Sequence, residues 1–241
     1  MAARSKPQEM FVAPAAGSAL FQNFCRSFFS SYCSLTVEGQ DRVPKPPFII
    51  CSNHSSHADS AILMTASRLP FREFALLGAS DYFFASWSVR LRVAAFMNVI
   101  PIDRRPSAGS LATSLTMCRD FLWQRKGNLI IYPEGTRSKN GRMQRFKTGA
   151  GLFALELGAP IVPAYIDGAY YILPKGKSLP RIGVVTVRFG EPVFIDSEVP
   201  NDLSPRQRRK MATEVLEERV LDLREILVSS SNDKTLAAAA R

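Results

Sequence analysis

The sequence predicts an α/β fold: a mixed, largely parallel sheet flanked by helices, preceded by an amphipathic helical segment. Two observations predict it. Short apolar runs suited to buried strands, FIICS at 48–52, NLII at 128–131 and APIVPA at 159–164, alternate with stretches of helical periodicity. That alternation is the mark of a sheet covered by helices. The composition is that of a globular chain, with 46% apolar and 22% charged residues. At 241 residues the chain can bury a full core. No repeat or linker interrupts it, so it divides into an N-terminal segment over 1–34, one main domain over 35–228 and a flexible tail over 229–241.

The elements follow in order. Residues 18–35 place Leu20, Phe21, Phe24, Phe28 and Tyr32 at roughly helical spacing, with Phe29 beside them. Two readings fit: a helix packed on the core, or an interfacial helix pressing aromatics into a bilayer, which Arg26 and the overall charge favour. LTVEG reads as a strand, VPKPP as a stiff turn and FIICS as a buried strand, with ADSAILMTAS continuing as a helix. EFALLGA is a further strand, DYFFASWSVRLRVAAF an aromatic and partly helical stretch, and NVIPIDRR a strand running into a basic loop. The next helix carries Leu111, Leu115, Cys118 and Leu122 on one face and stops at Gly127. NLIIYPEGTRSKNG is a strand and then a loop rich in turn residues, TGAGLFALELG a short helix ended by Gly158, and APIVPAYIDG a strand. VVTVRFG alternates like a strand with one wetter face. Ser204-Pro205 opens a last helix, which buries Val215, Leu216, Leu223 and Leu227.

Charge narrows the function classes. The net charge of +10 calls for an anionic partner: nucleic acid, an anionic membrane surface, or an acidic or phosphorylated substrate. No RNA- or DNA-binding motif accompanies the basic residues, so nucleic acid is not expected. Four cysteines (Cys25, Cys33, Cys51, Cys118) lack C-x-x-C spacing, which argues against a zinc ribbon or disulfide framework and fits a reducing compartment. No apolar core follows the basic residues near the N-terminus, and no run of about 18 apolar residues occurs. Neither a secretory leader nor a transmembrane helix is expected.

Both histidines fall in CSNHSSHADS at 51–60. A five-residue gap turns about 500° on a helix, so His54 and Asp59 do not share a helical face. They come together if His54 lies in the loop after the strand and Asp59 in the first turn of the helix, with Ser56 as N-cap and Asp59 third. Ser56 and Asp59 would then form a capping box and nothing more. The same geometry lets Asp59 accept a hydrogen bond from His54 Nδ1 and leave Nε2 free as a base, the base-and-orienter arrangement of hydrolase triads without the serine. A third reading is a metal-dependent hydrolase built on His54, His57 and Asp59, with Cys51 or Cys118 in support. That reading lacks further imidazoles, and His57 fits better as a surface neighbour.

Three more stretches extend the pattern. NHSSHAD (53–59), IPIDRR (100–105), YPEGTRS (132–138) and APIVPA (159–164) occur in the order of four motifs, and here the chain resembles the glycerolipid acyltransferases, the 1-acylglycerol-3-phosphate acyltransferase family. The likeness runs from about Leu35 to Pro192, and the pair NHxSxxD and PEGTRS is its most specific part. The resemblance implies a glycerolipid acyltransferase-like fold and an O-acyltransferase that moves a fatty acyl group from a thioester to lysophosphatidate, giving phosphatidate for phospholipid biosynthesis. It implies His54 as general base and Asp59 as its orienter, with Arg104, Glu134, Gly135, Thr136 and Arg137 binding the glycerophosphate and Pro163 matching the fourth motif. An acyl groove under Pro163 and the aromatics at 82–87 would hold the tail. No cofactor or metal is expected; acyl-coenzyme A or acyl-acyl-carrier protein serves as co-substrate. The expected partners are a lysophospholipid acceptor, that donor and an anionic membrane surface, with the protein peripheral on the cytoplasmic face of a bacterial-type inner membrane. The chain departs from the family in carrying Tyr132 for Phe, in lacking a lysine within LGASDYFF (77–84), and in placing His57 at a freely varying position. Another lysolipid acceptor and a non-catalytic lipid-binding protein stay open beside this reading.

Overall fold

The computed structural model describes residues 9–81, 95–174, 176, 177 and 179–239, with side chains to residue 227. Seven strands, β1 (Cys33–Glu38), β2 (Ile49–Ser52), β3 (Phe74–Ala79), β4 (Asn98–Ile102), β5 (Asn128–Ile131), β6 (Ile161–Asp167) and β7 (Gly183–Phe189), form one sheet in the order β1-β7-β6-β2-β5-β3-β4. The five strands β6, β2, β5, β3 and β4 run parallel; β7 is antiparallel to β6, and β1 is parallel to β7. The expected mixed, largely parallel sheet is therefore present.

The strand alternation builds two cores. Phe48 and Ile50 face one side with Phe74, Leu76, Ile130, Val162, Val185 and Val187. Helices α1 (Ala15–Ser31) and α2 (Asp59–Ser67) cover that side. Ile49 and Cys51 face the other with Ala75, Leu129, Ile131 and Ile161, beneath α3 (Ala108–Arg119), α4 (Gly149–Leu157) and α5 (Pro205–Ala239). β2 is buried on both faces, as its continuous apolar run requires. Leu115, Cys118 and Leu122 are buried in one core as their spacing predicts, with Leu111 packed beside it.

Three local details bear on what the sequence predicts. α5 runs to Ala239, into the segment over 229–241 expected as a flexible tail. Its start is as read: Pro205 opens it, and Gln207 Oε1 reaches back to accept from Ser204 N at 3.1 Å. α1 packs on the core with one face and leaves aromatic residues on the other. Cys25 and Phe29 are buried on its inner face, while Leu20, Phe24 and Tyr32 stand exposed on its outer one. Phe24, Phe28 and Tyr32 stack along that outer side, with ring centroids 6.1 and 5.8 Å apart. Finally, the aromatic stretch at 81–96 falls largely on residues 82–94, outside the described residues, as do the aromatics expected to line an acyl groove. Among the described residues, no helix is long and apolar enough to cross a membrane.

Candidate active site

The carboxyl ends of five parallel strands make one edge, the place where open α/β sheets bind ligands. β2 is flanked there by β6 and β5. Its last rung is made by a side chain: Asn53 accepts from Ile166 N at 2.8 Å and donates to Ile166 O at 2.9 Å, imitating a backbone pair. The next residue, His54, is the first to leave the sheet.

Asp59 is fully buried, and its Oδ2 collects three donors: His54 Nδ1 at 2.8 Å, Ser55 N at 2.7 Å and Ser56 N at 2.9 Å. A carboxylate that takes both amides and Nδ1–H holds the proton of a neutral imidazole on Nδ1 and leaves Nε2 as the acceptor. The His54 side chain is 20% exposed, and no hydrogen bond to its Nε2 occurs among the described residues. The expected couple is thus assembled, but the expected cap is shifted. α2 starts at Asp59 with Ala58 as N-cap, not at Ser56. The loop wraps the carboxylate with two amides before the helix begins. Ser56 Oγ instead accepts from Ala58 N and donates to Leu173 O.

The loop after β5 locks onto the His54 main chain. Glu134, 2% exposed, accepts from His54 N at 2.7 Å through Oε1, and from Gln144 N and Nε2, both at 3.1 Å, through Oε2. Ser138 N donates to His54 O at 2.8 Å. Both polar groups of the His54 backbone are held by this loop. Burial pushes the Glu134 carboxyl up to about 7, while the His54 and Gln144 donors pull it back. The carboxylate points inward, and both of its oxygens are taken by donors of the protein. Gly135, at φ 69°, shapes the loop; a Cβ there would sit 2.8 Å from Lys147 Nζ. Thr136 and Arg137 line a shallow cleft with Ser138, Lys139, Asn140 and Gln144, a cationic concavity suited to an oxyanion. Lys147, Gln144, Ser138 and Asn53 were not singled out from sequence. Asn53 and Ser138 enter the sequence pattern only as the ends of NHSSHAD and YPEGTRS.

The remaining site residues lie apart. Arg104 follows β4 on the same edge, three strand positions from β2, roughly 14 Å at the usual spacing. Its Nη1 pairs with Asp81 Oδ2 at 2.6 Å, both side chains being half-exposed. Pro163 is buried mid-strand in β6, opposite Cys51, and does not reach the edge. His57 is exposed, and its backbone N–H bonds Leu173 O. Among the described residues no three His, Cys, Asp or Glu side chains converge as metal ligands. Burial pushes the Cys118 thiol up to about 12 and that of Cys51 higher still, so neither is poised as a thiolate.

What this edge offers is a histidine bonded to a buried carboxylate, with a cationic cleft on the loop that holds its main chain, and known proteins resemble the chain that carries it. The 1-acyl-sn-glycerol-3-phosphate acyltransferase alpha of Homo sapiens is 29% identical over 176 residues, 70% of this chain and 59% of its own length. The chloroplastic 1-acyl-sn-glycerol-3-phosphate acyltransferase of Arabidopsis thaliana is 27% identical over 65% of this chain and 44% of its own. The chain thus spans about half the length of the curated relatives it matches. The solved 1-acyl-sn-glycerophosphate acyltransferase PlsC of Thermotoga maritima shares the fold, with a TM-score of 0.59 over 85% of this chain and 79% of that one at 24% identity. A family model described as Acyltransferase matches residues 34–167, from the first residues of β1 through the end of β6, and so takes in His54, Asp59, Arg104, the Glu134 loop and Pro163. By that match the chain belongs to the Acyltransferase family.

Proposed function

We propose that this protein transfers a fatty acyl group from an acyl thioester to the free hydroxyl of lysophosphatidate, producing phosphatidate and a free thiol. The observation that carries the reading is His54: Nδ1 is committed to a buried carboxylate, and Nε2 belongs to a partly exposed ring beside a cationic cleft. Neutral His54 takes the acceptor hydroxyl proton at Nε2 as that oxygen attacks the thioester carbonyl. Asp59 balances the imidazolium. When the tetrahedral intermediate collapses, the C–S bond breaks and the proton passes to the leaving sulfur. General base catalysis of this kind contributes about 10²–10⁴-fold. Thr136, Arg137 and the Gly135 turn hold the phosphate at the cleft, and Arg104 reaches it by exchanging Asp81 for a phosphate oxygen. No covalent acyl-enzyme forms, and no step needs a metal.

The acceptor is a lipid, and the outer face of α1 supports contact with a bilayer. Leu20, Phe24 and Tyr32 are exposed along it. Because Cys33 pairs with Gly183, Tyr32 ends beside Ile182, itself 76% exposed, on the sheet edge that carries His54. Four free cysteines and a charge of +10 fit a peripheral position on the cytoplasmic face of an anionic membrane of bacterial inner-membrane type.

The test incubates purified protein with a panel of lysolipids and with both acyl-coenzyme A and acyl-acyl-carrier protein, with products read by mass. Phosphatidate formed in preference to other products supports the reading, and the donor used settles the thioester. Equal use of acceptors lacking a phosphomonoester refutes lysophosphatidate. Activity abolished by a strong chelator points instead to the metal-dependent hydrolase, and an intact cleft with no turnover of any lysolipid to a binding protein.

A further inference from the structure

Asp59 fixes one nitrogen of His54, but a single hydrogen bond does not fix a ring. The imidazole can still swing about the Nδ1–Oδ2 line, and such a swing moves Nε2. Tyr132, the first residue after β5, closes that freedom. Its ring lies against the His54 ring with centroids 3.9 Å apart and planes 12° from parallel. The tyrosine is itself held at both ends. At its base, Tyr132 O accepts from Gly135 N at 3.0 Å, within the turn that carries Glu134. At its tip, the phenol oxygen is 2.8 Å from Ser60 Oγ, on the residue that follows Asp59 in α2. The plate behind the imidazole is therefore fastened to the loop that holds the His54 main chain and to the helix that carries Asp59.

We infer that Tyr132 is a positioning residue for the transfer reaction, setting the plane of the His54 imidazole so that Nε2 meets the acceptor hydroxyl. The inference rests on the reading of His54 as the base. A stacked plate acts on the geometry of the reacting complex and not on substrate affinity, so its loss should fall on kcat. The ring, and not its hydroxyl, does this: the hydroxyl only anchors the tip.

The chain has two histidines, so a His57→Gln background leaves one imidazole, whose ring protons report the stack directly by NMR. In that background His54 should show ring-proton resonances moved upfield by the overlying tyrosine. Tyr132→Met, close in volume but without a ring, should abolish that shift and lower kcat by about 10–100-fold, with KM for either substrate within about twofold. Tyr132→Phe should keep the shift and stay within about threefold of the wild-type kcat. An equal loss in Tyr132→Phe and Tyr132→Met, or a loss appearing in KM, overturns the proposal. If Tyr132→Met does not fold, the His57→Gln protein still decides: unshifted His54 protons overturn it. Full activity in His54→Ala would instead remove the base reading while leaving the ring-current result standing.

Discussion

The two ends of the candidate active-site edge are built differently. At the β2 and β5 ends, His54 is held by its main chain, by its ring nitrogen and by its ring face, through partners that are largely buried. At the β4 end, Arg104 rests in one exposed ion pair with Asp81. A base must meet its proton within a few tenths of an ångström, which repays rigid support. A guanidinium that gathers a head group from a membrane gains from reach, and an exposed ion pair holds it by only about 0–1 kcal/mol. On the proposed function, the contrast teaches that this fold concentrates its order at the base and leaves the head-group arginine adjustable.

The hardest test of the rigid end is removal of its chemistry. His54→Ala should lower kcat by about 10³-fold or more, and Asp59→Asn by about 10²–10⁴-fold through loss of the fixed tautomer, both by initial-rate assay. At the adjustable end, Arg104→Gln should raise the acceptor KM by about tenfold with little change in kcat, the worth of charge-assisted hydrogen bonds to phosphate. Asp81→Asn, which only frees the arm, should change KM by less than about threefold. A large kcat effect from Arg104→Gln would erase the distinction between the two ends.

Glu134 probes the support by pH. Its carboxyl is held up to about 7, against 4.5 ordinarily, chiefly by burial. Between those values the folded chain keeps a proton that the unfolded chain has lost, so this group's contribution to stability falls as pH rises through that window. The full effect is of the order of 3 kcal/mol, reached above the folded value. Glu134→Gln removes the ionisation. The wild type should therefore lose stability relative to the variant between about pH 5 and about pH 8 in denaturant titrations. Parallel curves would show that the carboxyl does not titrate in this range. The smallest effect on the fold is expected from α1, where Leu20→Ser with Phe24→Ser should weaken sedimentation with anionic vesicles and leave the melting temperature within a few degrees. These outward positions are better probes than deletion of residues 1–34, because Cys25 and Phe29 of the same helix are part of the core.

Much of this was legible in the sequence for a physical reason. Buried strands and helix faces announce themselves by period, so FIICS, NLII and the Leu115–Cys118–Leu122 face could be read residue by residue. His54 and Asp59 could be paired because both lie within one strand–loop–helix corner. The lacing could not. Glu134 reaches His54 across 80 positions, and Asn53 reaches Ile166 across 113. Tyr132 was visible only as a departure from a motif. Local patterns report which face a residue turns to the core; they do not report which backbone amide a distant carboxylate will choose. For the same reason the pattern PEGTRS does not report that both oxygens of Glu134 accept from the protein's own amides. The N-cap moves from Ser56 to Ala58, while Ser56 N still donates to Asp59 Oδ2.

The His54 loop has no secondary structure of its own at 53–55, yet its amides do not face water. The N–H groups of His54, Ser55, Ser56 and Ser138 all donate to oxygen atoms of this corner. Deuterium should therefore enter this irregular segment at the pace of the strands around it. By exchange, the boundary of the slow core would fall beyond the base and not behind it, so that opening the site and unfolding the sheet would be nearly the same event.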